Sequence, residues 1–289
     1  MSLAKEMSAA MEALARDRRR VLAAWRLAAK IREILPDASD AEIRAAIRRA
    51  VVAKRLRRIK GVSSVYSVEL AYASLLPVHE HQVLQEANPF AALSHATALV
   101  LHGLTDQPTN ALCASDFGRA STRIPLGTRP EDWAIKPAPR SFPPQVQSVP
   151  VRWIRGRSAL DFGIAIDNSQ NVPLWITDPE RTILDCIRDP HAAGGFPLVA
   201  QTLQRNLSSL RLHVLLEYTE RFQSAIMQQR VGFILEQFGV RHETLDQWAS
   251  RAVRGGSMVL VPGAAFASQF SARWCLSLNA DEDSLRSLE

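Results

Sequence analysis

Between Ser39 and Val68 the hydrophobic period of the chain changes, and that change restricts the fold more than any other feature. Ser39-Asp40-Ala41-Glu42 has the form of a capping box, in which a serine and a glutamate three residues later satisfy each other's backbone donors, so a helix starts there. Ile43, Ile47, Val51 and Val52 give that helix an apolar stripe, while Arg44, Arg48 and Arg49 fall on other faces. Leu56-Arg57-Arg58-Ile59, then Lys60-Gly61, then Val62 to Val68 reads as strand, turn, strand. Upstream, residues 2–35 read as helix, because Leu3, Met7, Met11, Leu14, Val21, Leu22, Trp25, Ala28 and Ile31 recur at three- and four-residue steps. The run Arg16 to Arg20 interrupts the stripe and separates two helices; Pro36 ends the second. Three helices and a basic hairpin, in that order, make a winged helix-turn-helix, whose last helix enters the major groove while the hairpin touches flanking backbone.

Charge is distributed accordingly. Residues 1–60 carry 16 Lys+Arg and 7 Asp+Glu, and the remainder 19 and 22, so a strongly basic N-terminal piece precedes a slightly acidic body. A local basic excess is the electrostatic footprint of a polyanion-binding surface. On this reading Arg44, Arg48 and Arg49 sit on or beside the recognition helix, and Lys54, Arg55, Arg57, Arg58 and Lys60 serve the wing. Arginine suits the work because its planar fork binds phosphate or a guanine edge with two hydrogen bonds. The alternative is a small helical domain whose arginines keep it soluble.

Beyond residue 70 the pattern is mixed. Residues 71–88 read as a connector with room for a short helix, and Asn88-Pro89 as a helix start running through Phe90, Leu93, Ala98 and Leu101 to Gly103. Strand-like pieces follow at Ala111–Ala114, Val146–Ile154, Leu160–Ile166 and Val172–Ile176, around an irregular Pro-rich loop from Pro125 to Pro144. Thr177-Asp178-Pro179-Glu180 starts another helix, Gly194-Gly195 is a turn, and Phe196 to Ala252 is helical with a stop at Gly239. Two last strands fit at Met258–Val261 and Arg273–Leu278, before a polar tail expected to fray. The fold class expected is α+β: a winged helix-turn-helix over residues 1–70, a connector over 71–88, a larger mixed α/β domain over 89–280 ending in a helical bundle and two short strands, and a tail over 281–289.

Catalytic constellations are represented only by fragments. The sequence holds no GxxxxGK[ST] phosphate loop, no GxGxxG after a strand and no GxSxG elbow. Ser94, His95, His102 and Asp106 supply triad residue types, but neighbours along a helix do not face each other. His79 and His81 lack a partnering cysteine or second pair, and Asp161 and Asp167 are six residues apart with no preceding Gly-Ser motif. Arg181 and Asp185, four residues apart, read as a surface or helix-packing ion pair. No enzyme activity, cofactor or metal is expected. Cys113, Cys186 and Cys275 are an odd set without a CxxC pair, which with the lack of a long apolar run and of a secretory signal points to a cytoplasmic chain with free thiols and no membrane contact.

Four segments together resemble one family. Ser94-His95-Ala96-Thr97-Ala98-Leu99-Val100-Leu101-His102-Gly103-Leu104-Thr105 is similar to the S-x-x-S/T-A-L-x-x-H-G-L-T helix of the AbiEi antitoxins of type IV toxin–antitoxin systems. Thr177 to Asp185, with Pro190 and Gly194-Gly195, resembles their D-P-E-R-T-L-L-D helix and P-x-x-x-G-G turn. Gln229 to Glu236 resembles R-L-G-Y-L-L-E, and Arg273 to Asn279 the closing R-W-x-L-x-x-N. The resemblance covers roughly residues 88–280; toward the N-terminus the family's compact Gly-x-Tyr wing is departed from, Gly61 and Tyr66 being separated by Val62-Ser63-Ser64-Val65.

The resemblance implies an autorepressor that binds inverted repeats in its own promoter DNA, and a C-terminal domain that counters an AbiEii-like nucleotidyltransferase toxin without requiring a stable complex. Its positions His102, Gly103, Asp178, Arg181, Asp185, Gly194, Gly195 and Arg230 are expected to be structural. Symmetric DNA sites imply a dimer or two cooperative monomers. Two rival readings are a protein-interaction antitoxin that binds its toxin directly and an enzyme acting on nucleotides or RNA through Asp161 and Asp167 or the Arg181 region.

Overall fold

The computed structural model describes residues 3–16, 19–69, 77–118, 123–133, 139–255 and 258–280. The polar tail over 281–289, part of the connector and part of the Pro-rich loop lie outside the described residues. The chain is α+β and divides into two compact units that interleave along the sequence. One holds residues 1–93, 110–158 and 165–176; the other holds 94–109, 159–164 and 177–289.

The first unit begins with three helices and a small sheet. Helix α1 spans Leu3–Arg16, strand β1 Val21–Ala23, helix α2 Ala24–Ile34, helix α3 Asp40–Val52, and strands β2 and β3 Leu56–Arg58 and Val65–Val68. Met7, Met11, Leu22, Leu27, Ile31, Ile43, Ile47, Leu56 and Val68 close a common core. The capping box forms as its chemistry requires: Ser39 Oγ accepts from the Glu42 amide at 3.3 Å, and Glu42 Oε2 accepts from the Ser39 amide at 3.0 Å.

One expectation fails here. Val21 and Leu22 belong to no helix; they form β1, which pairs antiparallel with β3 through Leu22↔Tyr66 and completes a sheet of order β1-β3-β2. Val21, Leu22 and Ala23 are consecutive and all buried, which suits a strand covered on both faces. Pairing to β3 overrides the helical spacing.

Helix α4, Glu80–Ala87, is the short helix for which the connector has room. Asn88-Pro89 does not start the next helix; Asn88 is the C-cap of α4. Its side chain is committed elsewhere: Nδ2 donates to Asp116 Oδ2 at 2.8 Å and Oδ1 accepts from the Phe90 amide at 3.3 Å, an Asx turn rather than an N-cap. The chain turns and enters strand β4, Ala92–Leu93. Strands β5 (Leu112–Asp116), β6 (Gln145–Val146), β7 (Val149–Arg155), β8 (Ile164–Asp167) and β9 (Leu174–Thr177) join it in a six-stranded mixed sheet of order β6-β7-β5-β4-β9-β8. β5 runs parallel to β7, and β4 runs parallel to β9 but antiparallel to β5.

The second unit is mainly helical. Helix α5 covers His95–Leu101, six residues later than a start at Asn88-Pro89 would give, and ends where Gly103 takes φ +65. Helix α6, Pro179–Arg188, is capped by Asp178, whose side chain accepts from the Arg181 amide. Gly194 and Gly195, at φ +91 and +106, turn the chain into α7, Phe196–Asn206. Helices α8 (Leu212–Arg221), α9 (Ala225–Gln237) and α10 (Glu243–Ser250) follow, with Gly239 at φ +78 after α9. The last sheet is smaller than expected: strands β10 (Phe270–Ser271) and β11 (Leu276–Ser277) pair, and Met258–Val261 contributes only a bridge from Val259 to Ser277. Residues 272–275 are a turn, with Cys275 at φ +47, so Arg273–Leu278 is not one strand. No described helix is long and apolar enough to cross a membrane.

Candidate nucleic-acid interface

The basic residues singled out in the N-terminal sequence lie on the outer faces of α3 and the β2–β3 hairpin. Ile43, Ala46, Ile47 and Ala50 bury one face of α3, which leaves Arg44, Arg48 and Arg49 exposed. In β2, Leu56 points into the core and Arg57 and Arg58 are exposed; Lys60 and Gly61, at φ +80, form the turn. Lys54 adopts φ +56 just beyond α3, and that left-handed residue redirects the chain into the hairpin.

Some of these cations are partnered and some are free. Arg44 lies 3.8 Å from Asp40, Arg57 lies 3.1 Å from Glu69, and Arg55 donates to Ser8 Oγ at 2.6 Å. Arg48, Arg49, Lys54, Arg58 and Lys60 make no ion pair among the described residues. Exposed pairs such as Arg57–Glu69 contribute little to stability and exchange readily for another anion. The surface can therefore present a row of cations, five of them uncompensated, to a polyanion.

The same unit holds a charge cluster that the sequence did not announce. Glu86 of α4 is buried; its Oε1 accepts from Arg26 Nε at 2.7 Å and its Oε2 from the Ala23 amide at 2.8 Å, while Arg19 lies 3.6 Å away. Trp25 Nε1 donates to the Glu86 carbonyl at 2.8 Å, and the Trp25 ring meets Trp133 edge-on at 5.5 Å. Acidic residues on amphipathic helices are usually exposed, so nothing local marks Glu86 as buried. A second buried carboxylate, Asp116 at the end of β5, accepts from Arg140 and Asn88.

The eight family-motif positions lie in the second unit and hold its backbone. His102 Nε2 lies 2.7 Å from the Thr177 carbonyl, and Gly103 closes α5. Asp178 caps α6 and accepts from Tyr218 Oη at 2.9 Å; burial raises its carboxyl above the usual value and, with the Asp178 bond, pushes the Tyr218 phenol up to about 12. Arg181 and Asp185 are wholly buried, their ion pair 3.0 Å long, which places inside the unit a pair that the i,i+4 spacing suggested at a surface or helix contact. Gly194 and Gly195 make the turn before α7. Arg230 donates to the Val259 carbonyl at 2.8 Å, and burial lowers its guanidinium to about 10.

The four motif segments meet in two pairs. His102 of the first touches Thr177 of the second. In the other pair, Trp274 Nε1 donates to Glu236 Oε2 at 2.7 Å and Arg273 Nε to Glu236 Oε1 at 2.8 Å. A Cβ added at Gly232 would lie 2.1 Å from the Trp274 ring, so only glycine lets the indole rest on α9.

The residues weighed for catalysis are distributed over both units. Asp161 and Asp167 belong to different units. His81 hydrogen-bonds Gln170 at 2.6 Å, and among the described residues no group of three His, Cys, Asp or Glu could hold a metal. His95 is buried at φ +50 with Nδ1 3.0 Å from Ser94 Oγ, and its Nε2 has no hydrogen-bond partner among the described residues. Desolvation holds this imidazole below 6.5, outweighing the attraction of Asp185 and Asp189. A depressed histidine keeps the folded state stable above the unfolded value, so stability should fall as pH drops below 6.5 and the unfolded chain takes up the proton. Replacing His95 with Gln should flatten that part of the profile of unfolding free energy against pH; an unchanged slope would assign the loss to other groups.

No family model and no curated protein sequence matches the chain. Among solved structures it is similar to the Rv2827c protein from Mycobacterium tuberculosis, with a TM-score of 0.52 and 16% identity, over 98% of this chain and 94% of that one. At that identity the likeness is one of fold.

Proposed function

We propose that the chain is an AbiEi-type antitoxin that represses its own promoter, with a winged helix-turn-helix over residues 1–70 whose α3 enters the major groove. The observation that carries this reading is the exposed row of cations on α3 and the adjoining hairpin, Arg48, Arg49, Arg58 and Lys60 among them, on elements whose opposite face is core. Three helices followed by a β2–β3 hairpin support the module, and β1 supplies the third strand of its sheet. Contact within each pair of motif segments supports the antitoxin half, because it gives the resemblance a common structural cause. In this reading the second unit counters a nucleotidyltransferase toxin and carries no catalytic site. A dimer or two cooperative monomers would read a two-fold DNA site.

The test is binding of the full chain to DNA upstream of its own gene, against a scrambled duplex, across salt. Specific binding is expected with a log–log salt slope of about −4 to −6, the signature of five or six neutralised phosphates. Arg48→Ala combined with Arg49→Ala should weaken binding about tenfold or more and bring the slope about two units nearer zero. Equal, weak binding to both duplexes would overturn the proposal.

A further inference from the structure

Helix α3 carries an apolar side chain where a surface helix has least reason to keep one. Val52 is 84% exposed, well above the next exposed large hydrophobic among the described residues, Phe266 at 57%. Its direction is as informative as its exposure. An α-helix advances about 100° per residue, so the buried stripe of Ile43, Ala46, Ile47 and Ala50 fixes the outward direction. Ala41, Arg48 and Val52 lie nearly opposite that stripe, Ala45 lies close beside them, and Arg44 and Arg49 flank the ridge. The outermost line of α3 is thus small or apolar apart from Arg48, with arginines on both sides.

That arrangement separates two kinds of contact with a duplex. Flanking arginines reach phosphates, which position the helix but carry no sequence information. Groups on the ridge reach base edges. The major groove offers an apolar group at only one base, the C5-methyl of thymine, and a guanine edge is the usual partner of arginine. Alanines at 41 and 45 let the helix approach closely. We infer that Val52 is a specificity-determining residue that packs on a thymine methyl, with Arg48, one turn earlier on the same ridge, reading a neighbouring guanine. This assignment rests on the operator-binding reading proposed above.

The experiment uses the full chain and the footprinted DNA upstream of its gene, synthesised with thymine and with deoxyuridine at each thymine in turn. Uracil differs from thymine only by the missing methyl, so a loss on uracil reports that contact. The unaltered protein should lose about fourfold in affinity at one thymine per half-site, the amount expected for one methyl group returned to water. Val52→Ala should bind thymine DNA about fourfold more weakly and no longer distinguish uracil at that position. The variant keeps α3, since alanine is the best helix former and Val52 packs on little. Promoter-selective binding with no uracil-sensitive position, or with a sensitivity that survives Val52→Ala, would overturn the Val52 assignment alone. Binding without preference for the promoter over the scrambled duplex would instead remove the operator reading on which it rests.

Discussion

Asp185→Ala should lower the unfolding free energy by about 3–5 kcal/mol, measured by denaturant titration of the full chain. The size follows from what the substitution leaves behind. Arg181 has no exposed side-chain surface; its Nε donates to Asp185 at 3.0 Å and its Nη1 to the carbonyls of Leu160 and Phe162, both at 2.7 Å. Phe162 and Phe222 lie 4.5 and 5.1 Å from its guanidinium. Burial already pushes that guanidinium below its ordinary value, and Asp185 is the main group opposing the shift. Without the carboxylate, the buried guanidinium keeps its carbonyl acceptors and the attraction of Asp178, but loses its ion pair and faces Arg188, which now pairs with Asp185 at 3.3 Å. Replacing both partners with Met and Leu should cost less than Asp185→Ala alone, because no charge is stranded, but should not be neutral, because two carbonyls lose their donor. A single-substitution loss under about 1 kcal/mol would show that the pair contributes no more than a surface bridge.

The visibility of such features in the sequence depends on whether their cause is local. Ser39 and Glu42 cap α3, and Asp178 caps α6, through bonds spanning three residues, so both helix starts could be placed from the residue types alone. Gly103, Gly194 and Gly239 mark chain reversals through positive φ, again a local property. The basic face was legible because α3's buried and charged positions segregate at helical spacing. What stayed hidden was decided at a distance. β1 exists because Tyr66 and its neighbours, more than forty residues on, offer it hydrogen bonds. Asn88 and Pro89 have the right identity and order for a helix start, yet Asp116 recruits the asparagine from twenty-eight residues away. Arg181–Asp185 was legible as a pair, but i,i+4 spacing is the same on a surface and in a core, so spacing alone left a surface and a helix-packing placement both open. Val52 was counted among the apolar residues of α3 when only its angular position, opposite Ile43 and Ile47, separates it from them.

Glu86→Gln should be nearly as costly as Asp185→Ala, at about 3–5 kcal/mol, although the new side chain has the same shape. Shape is not what Glu86 supplies. Arg19, Arg26 and Glu86 have 8%, 5% and 3% of their side chains exposed, so two guanidinium groups share one carboxylate in a site with little water. A neutral amide would leave both cations facing each other and would turn an NH2 group toward at least one donor now satisfied by an oxygen, either Arg26 Nε or the Ala23 amide. The Ala23 amide ends β1, and Trp25, at the start of α2, bonds the Glu86 carbonyl. Loss should therefore loosen the joint between the three-helix module and α4 before it disturbs the six-stranded sheet. Hydrogen exchange would show this as faster exchange at Ala23 and the Trp25 indole, with amides of β5 and β7 unchanged at low denaturant. Arg26→Met should cost less, because Glu86 would keep Arg19 and the Ala23 amide. If Glu86→Gln were instead within about 1 kcal/mol of the parent protein, solvent would have to reach the cluster freely, and the buried anchor assigned to it would be wrong. If exchange accelerated uniformly across the unit, the joint would not be a separable element.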